Sequence, residues 1–170
     1  MATTSAKTTA KKTTITVPNY AGPTQEQRLQ VHLDVMKNYV RGLMPKAEKN
    51  INELVAALQS GNAERALGNY ATSAIYGQVI RDTFSVLNSR LEAKEEGLDI
   101  MNELTSIQDM MQTALIGGCF MPNTSNSVVN LVSAEKGRTY GILIKEINAM
   151  LNGYRYLSAM TPTQYSQNHM

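Results

Sequence analysis

The stretch Thr24-Gln-Glu-Gln-Arg-Leu-Gln-Val-His-Leu-Asp-Val-Met-Lys-Asn-Tyr-Val-Arg-Gly-Leu43 decides the fold class. Leu29, Leu33, Met36, Val40 and Leu43 step by four, three, four and three residues, which is the spacing of one α-helix face. Thr24 stands where an N-cap is wanted, and Gln27 three residues on completes a capping-box pattern. Val31, Val35 and Tyr39 place a second apolar strip on another side. A helix apolar on two sides does not suit the surface of a small monomer. It is expected to lie between its own body and something else. Arg28, Lys37 and Arg41 add positive charge along the same rod, and Lys46 and Lys49 follow it. Pro45 has no N–H to give to the preceding turn, so the chain is expected to break or kink there into a helix-turn-helix.

Working towards the C-terminus, the same periodicity continues. Lys46–Gln59 reads as a helix with Ala47, Ile51, Leu54, Val55 and Leu58 inward. Ser60-Gly-Asn62 is a stop-and-restart signal. A long helix follows from Asn62 towards Lys94. Its inner side holds Leu67, Tyr70, Ala74, Gly77, Arg81, Phe84, Leu87 and Leu91, widened by Ile75, Val79, Ile80 and Val86. Gly68 and Gly77 each cost a helix ~1 kcal/mol, so both are expected to mark tight packing. Leu98–Ile116 presents Met101, Leu104, Ile107, Met111 and Leu115. Ser127–Lys136 reads as a short helix ended by Gly137. Arg138–Ala159 reads as the last helix, with Leu143, Ile147, Met150, Leu151, Tyr154 and Leu157 inward. No alternating strand pattern of useful length appears, so the class is all-α: four or five antiparallel helices in a bundle.

Working towards the N-terminus, the composition changes. Residues 1–14 are a Thr/Lys/Ala tract with almost nothing to bury, and Pro18 and Gly22-Pro23 keep the following piece extended or turned. Residues 1–50 carry eight lysines and arginines against three carboxylates, a net of +5, whereas the other 120 residues carry eight against eleven, a net of −3. The expected layout is therefore an arm, extended over 1–23 and helical over 24–50, and a bundle body over 51–170 with a short polar tail. Charged residues make up 18% of the chain, below the usual ~25%. A weakly charged surface repels its neighbours little and suits a protein that packs against many of them.

Little in the sequence supports catalysis. Cys119 is the one cysteine, so no intrachain disulfide forms, and its apolar neighbours suit a structural thiol. His32 and His169 are far apart and neither has a local nucleophile or metal partner. Asp99/Glu103 and Glu92/Glu95/Glu96 read as solvated faces. There is no phosphate-cradling glycine loop. No enzyme activity, cofactor, metal or small-molecule substrate is expected. No apolar run reaches the ~18 residues of a transmembrane helix, and the N-terminus lacks the apolar core of a secretory signal.

What remains is the arm. Lysine and arginine side chains neutralise phosphates and release counterions without reading bases, and hydroxyls and free N–H groups add hydrogen bonds to phosphate oxygens. Lys7, Lys11 and Lys12, with the hydroxyls around them, offer an extended strap, and Arg28, Lys37, Arg41, Lys46 and Lys49 carry the charge onto helices. The competing reading is a solvated tail with scattered helix charges.

Ser73-Ala-Ile-Tyr-Gly77, with Leu87-Asn88 downstream, resembles a segment of the major coat proteins of rod-shaped and filamentous viruses of hyperthermophilic archaea, the rudiviruses and lipothrixviruses. The layout of basic arm and small helical body resembles theirs over most of the chain. The acidic cluster Glu92–Glu96 has no counterpart in that resemblance. The resemblance implies coat subunits clamped in pairs around linear double-stranded DNA in A-form, a geometry recognised through shape and phosphates. It also implies copies of the chain as partners, with or without a second homologous coat protein, in a virion assembled in the host cytoplasm; an envelope is left open. Two alternatives stand beside it: a filament subunit without nucleic acid, and a helical adaptor using the tyrosines of the last helix.

Overall fold

The capping residues of the sequence set the helix starts. In a computed structural model, which describes residues 23–118 and 125–160, four helices follow in order: α1 (Gln25–Gln59), α2 (Ala63–Glu92), α3 (Ile100–Ile116) and α4 (Ser127–Ala159). The described residues contain no strand. The reciprocal capping box is formed: Gln27 N donates to Thr24 Oγ1 at 3.2 Å, and Thr24 N donates to Gln27 Oε1 at 2.9 Å. Asn62, Asp99 and Asn126 cap α2, α3 and α4 by accepting backbone N–H groups of their first turns. Gly61, at φ 85°, makes the left-handed turn between α1 and α2, a conformation that costs other residues a Cβ clash.

The core lies where four periodic faces meet. Met36, Val40, Leu43 and Ala47 of α1 pack with Ile80, Phe84, Leu87 and Leu91 of α2, Leu104 and Met111 of α3, and Leu143, Ile147 and Leu151 of α4. Each fully buried aliphatic or aromatic side chain here contributes about 1.5–3 kcal/mol of burial. Of the inward positions expected for Leu98–Ile116 and Arg138–Ala159, Leu104, Met111, Leu143, Ile147 and Leu151 are buried, Met101, Ile107, Met150 and Tyr154 pack partly buried against them, and Leu115 and Leu157 stay outside the core.

Contacts give the pairwise directions. Arg41 meets Leu91 and Glu92, Ala47 lies against Gly77, and the last turns of α1 lie beside Arg65 and Ala66, so α1 and α2 run in opposite senses. Gln25 bonds the carbonyls of Leu157 and Met160, His32 meets Gly153, and Tyr39 bonds Glu146, so α4 also runs opposite to α1.

Several expectations are corrected. Pro45 does not break the chain: α1 is one 35-residue helix, and the boundary drawn at residue 50 falls inside it. The Pro45 ring faces solvent, while Val40, Leu43 and Ala47 around it are buried, so tertiary packing holds the helix across the missing bond. Gly137 likewise does not break α4. Val55, Leu58, Leu67 and Val86, expected inward, are exposed. Gly77 marks close packing, but a Cβ on Gly68 would meet nothing within 4 Å. Between Ala47 and Ala74 only Ala66 is buried, and α4 buries nothing before Thr139. The α1–α2 hairpin therefore extends beyond the core. Cys119 and the C-terminal tail lie outside the described residues.

Candidate nucleic-acid interface

Helical periodicity sorts the basic residues of α1 into two rows. Arg28 and Lys46 are separated by about five full turns and share one line of the helix, with Lys49 beside it. Lys37 and Arg41 fall on the other flank, one turn apart. The five residues therefore do not form a single patch. Lys7, Lys11 and Lys12 lie outside the described residues.

The flank of Lys37 and Arg41 faces the end of α2. Arg41 Nη2 donates to the Leu91 carbonyl at 3.0 Å, and its Nε lies 3.5 Å from Glu92 Oε1. This is a cation bonding a carbonyl at a helix C-terminus, where the helix dipole favours positive charge. Lys37 lies 3.9 Å from Asp34. Both side chains line an open cleft of about 310 Å³ with Leu91, Lys94 and Glu95. Lys94, in left-handed backbone conformation at φ 52°, adds a third positive charge there. The sequence reading placed Lys94 at a helix end and gave it no role. Nothing local could have found it, because its position depends on how α1 pairs with α2.

On the other row, Lys46 and Lys49 are exposed, and Lys49 lies 3.8 Å from Glu53 in a one-turn pair. Arg28 is partly buried near the start of α1. Lys46 and Lys49 are thus the α1 cations most open to a phosphate.

Residues 51–170 carry eight lysines and arginines against eleven carboxylates. Arg90 bridges α2 to the following loop and to α3. Its Nε and Nη2 bond the two Glu95 oxygens at 2.7 and 2.8 Å, and its Nη1 bonds Glu103. The Arg90 hydrogen bonds hold the Glu95 carboxyl below its ordinary range. Across the α1–α4 seam, Tyr39 Oη donates to Glu146 Oε2 at 2.6 Å. Burial, followed by that bond, pushes the Tyr39 phenol well above its ordinary value, and burial also raises Tyr76. Both tyrosines are neutral structural groups.

A cleft of about 400 Å³ between the far ends of α1 and α2 is lined by Glu53, Ala57, Arg65 and Tyr70 among others, with no nucleophile–base pair. Among the described residues no group of three side chains is placed to hold a metal ion, and no helix is long and apolar enough to cross a membrane.

The outer face of α1 carries apolar and small residues beside the exposed Asp34, whose carboxylate accepts from Gln30 Nε2 at 3.1 Å. Val31 is 61% and Val35 49% exposed, and Asn38, Gly42 and Pro45 continue the line. Comparisons with family models, with curated proteins and with solved structures found no match to this chain.

Proposed function

We propose that this chain is a structural coat subunit, and that its copies assemble helically around double-stranded DNA and hold it by its phosphates without reading sequence. The observation that carries this reading is the outer face of α1: a helix with a complete inner core face also carries exposed Val31 and Val35 on its far side. An apolar strip on a charged-poor surface is what a subunit surrounded by copies of itself needs. The projecting α1–α2 hairpin, with Val55, Leu58 and Leu67 exposed, supports the same conclusion.

Charge supports the choice of partner. Apart from Lys7, Lys11 and Lys12, the chain holds thirteen lysines and arginines against fourteen carboxylates. The net positive charge therefore resides in the first twenty-two residues, whose Lys7, Lys11 and Lys12 bind phosphate in this reading. The clamp behind the strap is the uninterrupted α1, with Lys46 and Lys49 on phosphate and Arg28 five turns away on the same line, rather than a helix-turn-helix over residues 24–50. The body is an antiparallel helical bundle whose role is packing, not catalysis. The site of action is a virion assembled in the host cytoplasm.

A second reading is a filament subunit or adaptor without nucleic acid. The internal engagement of Arg41 and Lys37 favours it, because both are spent on Leu91, Glu92 and Asp34. One experiment separates the two: full-length protein is mixed with linear duplex DNA, treated with nuclease and inspected by electron microscopy. Protected DNA inside regular rods supports the coat reading. Rods that form equally well without DNA and protect none support the second.

A further inference from the structure

The charges of the body are not spread evenly over its helices. Of the eight lysines and arginines in residues 51–170, Lys136, Arg138, Lys145 and Arg155 sit on α4, with only two of the eleven carboxylates. Both of those carboxylates lie towards neighbouring helices. Glu146 accepts from Tyr39 of α1, and Glu135 lines a cleft of about 220 Å³ with Asn50 of α1 and Tyr76 of α2. The opposite face of α4 is left to cations and amides. Arg138, Lys145 and Asn152 follow one another at seven-residue steps and so share one line of the helix, and Arg155 and Tyr156 come one turn later. All five are exposed. Among the described residues, Lys145 and Arg155 have no salt-bridge partner, and Arg138, with its side chain 68% exposed, lies 3.7 Å from Glu135.

We propose that this outer face of α4 lies along the sugar–phosphate backbone of a DNA duplex, with Arg138, Lys145 and Arg155 on phosphates and Asn152 and Tyr156 adding hydrogen bonds to them. The row from Arg138 to Arg155 is about 26 Å long at 1.5 Å per residue. Its cations can displace condensed counterions, and its amide and phenol groups can donate to phosphate oxygens. The same line offers a protein partner no anchor. Between Arg138 and Arg155 it holds Gly141, Asn148 and Asn152, while Ile142 lines the cleft with Asn50 and Tyr76. The antiparallel seam joins this row to α1. Tyr39 is level with Glu146, so Lys46, seven residues on and on the same flank of α1, is level with Thr139 and hence with Arg138. One duplex can therefore meet Lys46 and the α4 row together. The inference rests on the phosphate-binding half of the coat reading and adds to it a surface outside residues 1–50.

The test is titration of a labelled linear duplex with the full chain, followed by fluorescence anisotropy over a series of salt concentrations. Lys145→Gln with Arg155→Gln is expected to weaken binding about tenfold or more at low salt and to reduce the log–log salt slope by about 2, with the melting temperature unchanged. Arg65→Gln with Arg81→Gln removes the same charge from α2 and is expected to leave affinity and slope as in the parent chain. An α4 variant with an unchanged slope overturns the proposal and leaves the coat reading standing, because the duplex is then held elsewhere. An equal loss in the α2 variant also overturns it, since net charge alone then accounts for the effect. Poly-glutamate bound more tightly than duplex, and lost in the α4 variant, assigns the row to an acidic protein and overturns it as well. A parent chain that binds no duplex sinks the coat reading and this inference together.

Discussion

Gly68 and Gly77, both inside α2, have opposite expected responses to the same substitution. Gly68→Ala puts a methyl into open space and should stabilise the chain by about 1 kcal/mol. Gly77→Ala drives a methyl into the α1 backbone at Ala47 and should cost about 1–3 kcal/mol despite the better helix propensity. Thermal melts of the two variants, shifted in opposite directions, check this. The sequence makes both glycines look alike, because a glycine's neighbour lies on another helix and local spacing does not reveal it. Tyr39 gives a pH test. Its folded-state phenol is raised above its ordinary value near 10. The unfolded chain therefore sheds that proton first as pH rises, so the contribution of Tyr39 is complete below about pH 10 and is lost above it. Tyr39→Phe should lower stability by about 0.5–1.5 kcal/mol at neutral pH and flatten the alkaline decline of the melting temperature.

At the level of the helix, burial outweighs local rules. Leu29, Leu33, Met36, Val40 and Leu43 announce α1 in the sequence, and Met36, Val40 and Leu43 are buried as that spacing requires. Pro45 and Gly137 announce breaks that do not occur. A proline costs a helix interior ~3 kcal/mol and a glycine ~1. Core residues on either side of Pro45 bury enough surface to exceed that cost. Pro45→Ala should therefore raise the melting temperature, by an amount corresponding to at most about 3 kcal/mol, with no change in helix boundaries by amide exchange. Val55, Leu58 and Leu67 are misread in sequence for the opposite reason. Their periodicity is helical, but they lie beyond the level of the core, where α4 too buries nothing before Thr139. In the core proper, Leu104→Ala should cost about 2–5 kcal/mol, read as a drop in the denaturant midpoint.

For the whole molecule, the charge division was legible from composition alone, whereas the arrangement of the candidate cations was not. The sequence presents Arg41, Lys46 and Lys49 alike, but Arg41 is bonded to the end of α2, whereas Lys46 and Lys49 are exposed. The strap should therefore dominate binding. Replacing Lys7, Lys11 and Lys12 with Gln should reduce the salt dependence of DNA affinity by a log–log slope of about 3 and leave the helical content unchanged. Replacing Arg41 with Gln should mainly loosen the α1–α2 contact. The most direct measurement is nuclease protection of linear duplex DNA by the full-length chain, read with electron micrographs of the same sample. The coat account predicts regular rods whose DNA survives nuclease and is released by high salt. Rods without DNA, or DNA degraded as fast as in free solution, would contradict it.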